Sequence, residues 1–127
     1  MHKQTKNRII KITCGLAVLA LIVLALRENA KPGQYDDFTK CLKDKGTIFY
    51  GAFWCSHCQN QKALFEKSKQ YLPYVECSTE NGKGQTAICE QKGIKSYPTW
   101  VFADGTQESR EFDLNELAEK TGCVLPQ

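Results

Sequence analysis

Apart from Met1 the chain has no methionine, and its only histidines are His2 and His57. A soft-metal (copper) carrier, which draws on thioether ligands beside its thiolates, is left without its usual support. Structural zinc fares little better. Cys55, His57 and Cys58 are ligand types, but a second ligand pair at short spacing is missing, because Cys77 and Cys89 stand far apart with no histidine near them. Internal repeats and low-complexity tracts are also absent. So is a basic body. Five basic residues (Lys3, Lys6, Arg8, Lys11, Arg27) face the single acid Glu28 in residues 1–30, whereas the remainder sets twelve basic side chains against thirteen acidic ones. The net charge of +3 therefore belongs to the N-terminus. Nucleic acid is excluded as a partner, since phosphate binding needs a basic face on the folded part.

What is present is enough for one compact domain: 127 residues, 42% of them hydrophobic. Seven cysteines point either to a metal site or to an oxidising compartment. The N-terminal segment favours the second. Residues 9–26 read IIKITCGLAVLALIVLAL, a run about 27 Å long as a helix and thus close to the hydrocarbon thickness of a bilayer. Basic residues precede it, so the expectation is a cytoplasmic tail over residues 1–8, a transmembrane signal anchor over 9–26, and an exported body. A cleaved signal peptide is the competing reading, and Glu28, two before Ala30, disagrees with its small-residue cleavage preference. Cys14 lies near the start of this run and not after it, which argues against a lipoprotein site. Residues 27–34 (RENAKPGQ) read as a linker, leaving 35–127 as the domain.

Within the domain, Tyr35, Phe38 and Leu42 predict a helix over 35–45, ended by Gly46. TIFYGAF (47–53) reads as a buried strand. A second helix is expected over 55–71, with Ala63, Leu64, Phe65 and Leu72 inward, stopped by Pro73. A strand over 74–77, a turn-rich stretch and a short helix near 85–92 follow. TWVFA, Asp104-Gly105 and TQESREF predict a hairpin, and Asp113 with Glu116 a capping box for a last helix carrying Leu114, Leu117 and Ala118 inward. Strands joined by helices imply parallel pairing, and the hairpin adds antiparallel strands. The fold class is α/β: about four strands in a mixed sheet flanked by helices, preceded by one transmembrane helix.

Cys55-Ser56-His57-Cys58 falls where a buried strand meets a helix N-terminus. Three residues along a helix bring the second cysteine within disulfide reach of the first. At that tip Cys55 meets unpaired amides and the positive end of the helix dipole, both of which stabilise a thiolate, the attacking species in disulfide exchange. His57 adds a donor or positive charge beside the sulfur. A stabilised thiolate makes the disulfide form oxidising. Cys58, one turn in, reads as the shielded resolving thiol. Half of a zinc site and an inert structural disulfide are the plainer alternatives.

FYGAFWCSHCQNQKALF (49–65), followed about 40 residues later by SYPTW (96–100), resembles the thioredoxin superfamily. More narrowly, it is similar to the thioredoxin-like domain fused to bacterial vitamin K epoxide reductase homologues and to free-standing relatives with one membrane anchor. The likeness spans about residues 36–123. It implies a thioredoxin-like fold, a redox-active disulfide at Cys55 and Cys58 in place of any cofactor, and a cis-proline at Pro98. Tyr97 and Pro98 would then form the backbone edge that receives an extended substrate segment, with Trp54 flanking the sulfur; core packing is the plainer role for Trp54. One departure matters. Thioredoxins proper carry a buried aspartate in the strand before the motif, and Phe49 stands here, with Glu76 a weak candidate for the missing base.

Setting aside the active pair and Cys14 leaves four cysteines, which permit three pairings. Cys77 ends a strand and Cys89 lies on the next helix, a loop whose closure is worth about 3 kcal/mol in the chain-entropy model. Relatives in the resembled family carry cysteines in this arrangement too. Cys41 and Cys123 then remain, either bridged or as two buried free thiols.

The leading expectation is a thiol–disulfide oxidoreductase anchored in the bacterial inner (cytoplasmic) membrane, its domain facing the periplasm or cell exterior. It would oxidise reduced exported proteins through mixed disulfides. A quinone-linked membrane protein of the vitamin K epoxide reductase type would re-oxidise it, a partner implied by the resemblance alone. A reductase or isomerase using the same residues is the alternative, and a copper-binding module the more distant one.

Overall fold

A computed structural model describes residues 2–127, so Met1, the first residue of the expected basic tail, lies outside the described residues. The chain divides into an N-terminal unit ending at Lys31 and a second unit, Pro32–Gln127. The first is a single helix, α1 (His2–Ala30). Its stretch Lys11–Ala30 has a mean hydropathy of 1.8 and no buried residue, which makes it a candidate membrane span. Apolar side chains face outward all round, a pattern that water disfavours and lipid accepts. The helix runs four residues into the expected linker. Lys31 pairs with Glu28 one turn back, and Pro32 then disfavours helical geometry at the residue before it.

In the second unit, α2 (Asp36–Asp44) buries Phe38 and Leu42, one turn apart on one face. Strand β1 (Ile48–Gly51) follows, then α3 (Ser56–Ala63), a 3₁₀ helix (Glu66–Tyr71), β2 (Tyr74–Glu76), α4 (Ala87–Gln91), β3 (Thr99–Val101), β4 (Gln107–Glu108) and α5 (Leu114–Thr121). The sheet runs β2-β1-β3-β4. Only β1 and β2 pair in parallel; β3 runs antiparallel to β1, and β4 antiparallel to β3. The parallel rule expected from helical connections thus fails at β3, for a physical reason. Helix α4 is only about 7.5 Å long and stays beside the end of β2, to which the Cys77–Cys89 disulfide joins it; a connection this short does not carry the chain back along the sheet, and it re-enters at the end it left.

The expected long helix over 55–71 is broken. α3 stops at Ala63, and Glu66 takes a positive φ of 50° before the 3₁₀ turns begin. The break turns Phe65 into the core against Phe38 and brings the Ser68 hydroxyl to the Tyr35 amide. Ala63 and Leu64 are exposed, whereas Phe65 and Leu72 are buried as expected, joined by Gln61 and Ser68. Gln61 is fully buried with both ends of its amide engaged: it donates to the Phe112 carbonyl and accepts from the Phe112 amide and the Trp100 indole. Phe49, Trp100, Phe102 and Phe112 fill the centre, with Phe49 stacked on Trp100 at 4.7 Å. α5 opens with the Asp113–Glu116 capping box, closes at Gly122 with φ 72°, and buries Leu117, with Leu114 and Ala118 partly covered.

Candidate active site

The site sits where β1 gives way to α3. Cys55 is the N-cap of α3 in extended geometry, and its sulfur accepts a hydrogen bond from the Cys58 amide at 3.4 Å. Amides at a helix start have no partner within the helix, so a sulfur placed there meets donors and the positive end of the dipole. Both cysteines are free thiols; Cys55 is 8% exposed and Cys58 1%.

Cys58 has little room to move. A methyl group on Gly51 would come within 2.9 Å of both Cys58 Sγ and the Tyr74 ring, so only glycine lets β1 pass so close beneath the sulfur. Burial, and then the bond with Cys55, push the Cys58 thiol up to about 12. Phe49 is wholly buried, so an aromatic ring and not a carboxylate occupies the strand below. Glu76 closes β2 opposite Gly51, and its carboxylate accepts from the amides of Phe53 and Ser78 and from the Tyr74 hydroxyl. The ammonium of Lys62, one turn along α3 from Cys58, lies 3.2 Å from the centroid of the Tyr74 ring. Burial, followed by the bond to Glu76, raises the Tyr74 hydroxyl above its usual value.

On the open side, the peptide bond Tyr97–Pro98 is cis, and the Tyr97 carbonyl lies 3.7 Å from Cys55 Sγ. Gln85 holds the Tyr97 hydroxyl at 2.6 Å. Trp54 meets the Tyr97 ring edge-on at 5.9 Å and donates its indole N–H to Ser78. At 54% exposure Trp54 is a surface residue, not core filling. Phe53, 48% exposed and not singled out from the sequence, joins it over Gly82. His57 is brought to the same helix tip, but its Nδ1 is engaged by Glu111 at 2.5 Å. The structure bridges Cys41 to Cys123 and Cys77 to Cys89. Among the described residues, no group of three or more His, Cys, Asp or Glu is arranged to hold a metal ion.

Glu111 and Lys62 were not found from sequence. Glu111 lies 54 residues from His57 with no local signal to connect them. Lys62 did leave a trace: a lysine four residues after a helical cysteine shares its face.

A buried cysteine pair at a helix tip, with a cis-proline just before β3 beside it, agrees with comparison to known proteins. The family model described as Thioredoxin matches residues 30–121. The chain belongs to the thioredoxin family. This thioredoxin-family chain is 44% identical over 92 residues to thiol-disulfide oxidoreductase LTO1 of Arabidopsis thaliana, an alignment covering 69% of the chain and 24% of that protein. It is 28% identical over 104 residues to protein disulfide-isomerase erp38 of Neurospora crassa (72% of the chain, 28% of the relative). To a protein disulfide-isomerase of Humicola insolens it is 27% identical over 106 residues (78% and 19%). The chain thus spans about a quarter of the length of these relatives.

Proposed function

We propose that this chain is a membrane-tethered thiol–disulfide oxidoreductase of the bacterial cell envelope that passes the Cys55–Cys58 disulfide to reduced exported proteins. The observation that carries the reading is the placement of Cys55 Sγ, supplied with the Cys58 amide on one side and facing the Tyr97 carbonyl on the other. A substrate thiolate attacks Cys55 Sγ, the Cys55–Cys58 bond breaks, and its electron pair leaves on Cys58. A second substrate thiol then attacks the mixed disulfide at the substrate sulfur and releases Cys55. Two electrons pass from substrate to enzyme, and no cofactor takes part. An extended substrate segment lies along Tyr97 and Pro98, with Trp54 and Phe53 as its apolar neighbours. His57, with Glu111 beside it, sets the charge at the helix tip.

Electron flow toward the enzyme is favoured by the placement of Cys55 Sγ at the tip of α3, because amide donors that stabilise the reduced sulfur make the disulfide a stronger oxidant. The ring of Phe49 in place of an acid supports the same direction. Helix α1 serves as the anchor, with the N-terminus cytoplasmic and the domain outside the cytoplasmic membrane. The resemblance to domains fused to vitamin K epoxide reductase homologues supports a quinone-linked membrane protein of that type as the re-oxidising partner. The names of two relatives favour a second reading, isomerase or reductase, with the same residues.

Replacing Cys58 with alanine removes the resolving thiol, so Cys58→Ala is expected to accumulate mixed disulfides between Cys55 and exported proteins, visible on non-reducing gels. Absence of any adduct in vivo would count against the proposal. The reduction potential separates the two directions: a value near −120 mV marks an oxidase, and one near −270 mV, roughly that of thioredoxin, a reductase.

A further inference from the structure

We propose that Lys62 is the residue that exchanges the Cys58 proton as the Cys55–Cys58 disulfide opens and closes, an assignment that rests on the oxidoreductase reading above. Apart from Cys55, which is itself in the bond being exchanged, the geometry leaves Cys58 with one mobile proton partner. Its sulfur is buried, and the strand beneath offers Phe49 and Gly51, neither of which carries a proton. Lys62 follows Cys58 by four residues on α3, which sets the two Cβ atoms about 5–6 Å apart on one face. Its ammonium lies over the ring of Tyr74, the same ring whose edge approaches Gly51 beside the sulfur.

The other groups facing this space have fixed duties. Glu76 spends its carboxylate on two backbone amides and the Tyr74 hydroxyl, so it holds β2 and Tyr74 in place. Tyr74 keeps its proton, being raised by burial and by that bond. Lys69, on the 3₁₀ helix, acts on Lys62 as a like charge, and Cys55 acts on Cys58 from the cap of α3. Burial, more than any neighbour, holds Lys62 below the ordinary lysine value, opposed by Glu76 and Cys58. An amine in that position gives up its proton more readily than a solvated one, and more of it stands as free base, open to receive one.

The step balances. When a substrate thiolate attacks Cys55 Sγ, the S–S bond breaks and the electron pair leaves on Cys58 Sγ. The proton that neutralises it comes from the Lys62 ammonium. On closing, the Lys62 amine takes the proton from Cys58 as its sulfur attacks Cys55, and the electron pair leaves on the departing partner's sulfur. Lys62 then re-equilibrates with water.

The test uses the full chain in detergent, with Cys14→Ser to remove the remaining free thiol, the structural disulfides intact and Cys55 and Cys58 reduced. One equivalent of 5,5′-dithiobis(2-nitrobenzoate) is added, and thionitrobenzoate release is followed. The first equivalent reports attack by Cys55, the second attack by Cys58 on the mixed disulfide. Lys62→Met is expected to slow the second release at neutral pH by roughly 10²-fold, the scale of general-base assistance. Its rate should then climb about tenfold per pH unit, following the bare thiol, while the wild-type rate levels off earlier. Lys62→Arg keeps the charge and cannot surrender its proton, so it is expected to be as slow as Lys62→Met. An unchanged second release in Lys62→Met, or recovery in Lys62→Arg, overturns the assignment while leaving the oxidoreductase reading in place. A wild-type chain that releases no second equivalent overturns both.

Discussion

Nδ1 of His57 lies 2.5 Å from Oε1 of Glu111, tying the helix that carries both active-site cysteines to the segment leading into α5. The carboxylate opposes whatever positive charge the imidazole brings to the Cys55 sulfur. Glu111→Gln removes that opposing charge, and the reduced couple gains stability. The reduction potential is expected to rise by up to about 20 mV, since an exposed pair is worth at most about 1 kcal/mol and 30 mV corresponds to about 1.4 kcal/mol. Equilibration with glutathione measures it, and a fall would contradict the arrangement.

The two sulfurs should differ sharply in reactivity. Iodoacetamide is expected to label Cys55 first, whereas Cys58 stays unlabelled in the folded dithiol until the pH nears about 12. The same shift links to stability. A thiol raised in the folded state contributes stability that is whole below the ordinary thiol value, about 8.5, and is lost as pH climbs through the folded one. Denaturant titrations of the dithiol form should therefore show stability falling between about pH 9 and 12. In the disulfide form Cys58 has no proton to lose, so this contribution should vanish.

Gly51→Ala is expected to cost about 1–3 kcal/mol, because the added methyl overpacks a site closed by Cys58 Sγ and the Tyr74 ring. Urea unfolding measures the loss. A neutral effect would mean that the strand moves aside.

Breaking the Cys41–Cys123 bridge with paired serines removes a cross-link spanning 82 residues. A loop of that size corresponds to about 4.5 kcal/mol in the chain-entropy model. Thermal melts of the double variant should show a large drop in midpoint with the active-site dithiol still present.

Much of the fold was legible because its signals are local. Phe38 and Leu42 at helical spacing, the Asp113–Glu116 capping box and the Asp104-Gly105 turn each announce an element within a few residues. The strand–helix junction at Cys55 was readable for the same reason. What stayed hidden depends on contacts far apart in the chain. The break after Ala63 serves Phe38 and Tyr35, and the burial of Gln61 makes sense only beside Trp100 and Phe112. The reversed direction of β3 goes with a connection through α4 too short to cross the sheet, and four cysteines alone allow three pairings. The partner of His57 arrives from residue 111, which no periodicity links to residue 57.

The Cys41–Cys123 bond also decides how the domain responds to traction. Tension applied between its two termini enters through the start of α2 and crosses directly to Cys123 through sulfur. Everything from Leu42 to Gly122, both reactive thiols included, hangs outside that load path. A tug at either end stretches a covalent link and leaves the exchange chemistry slack.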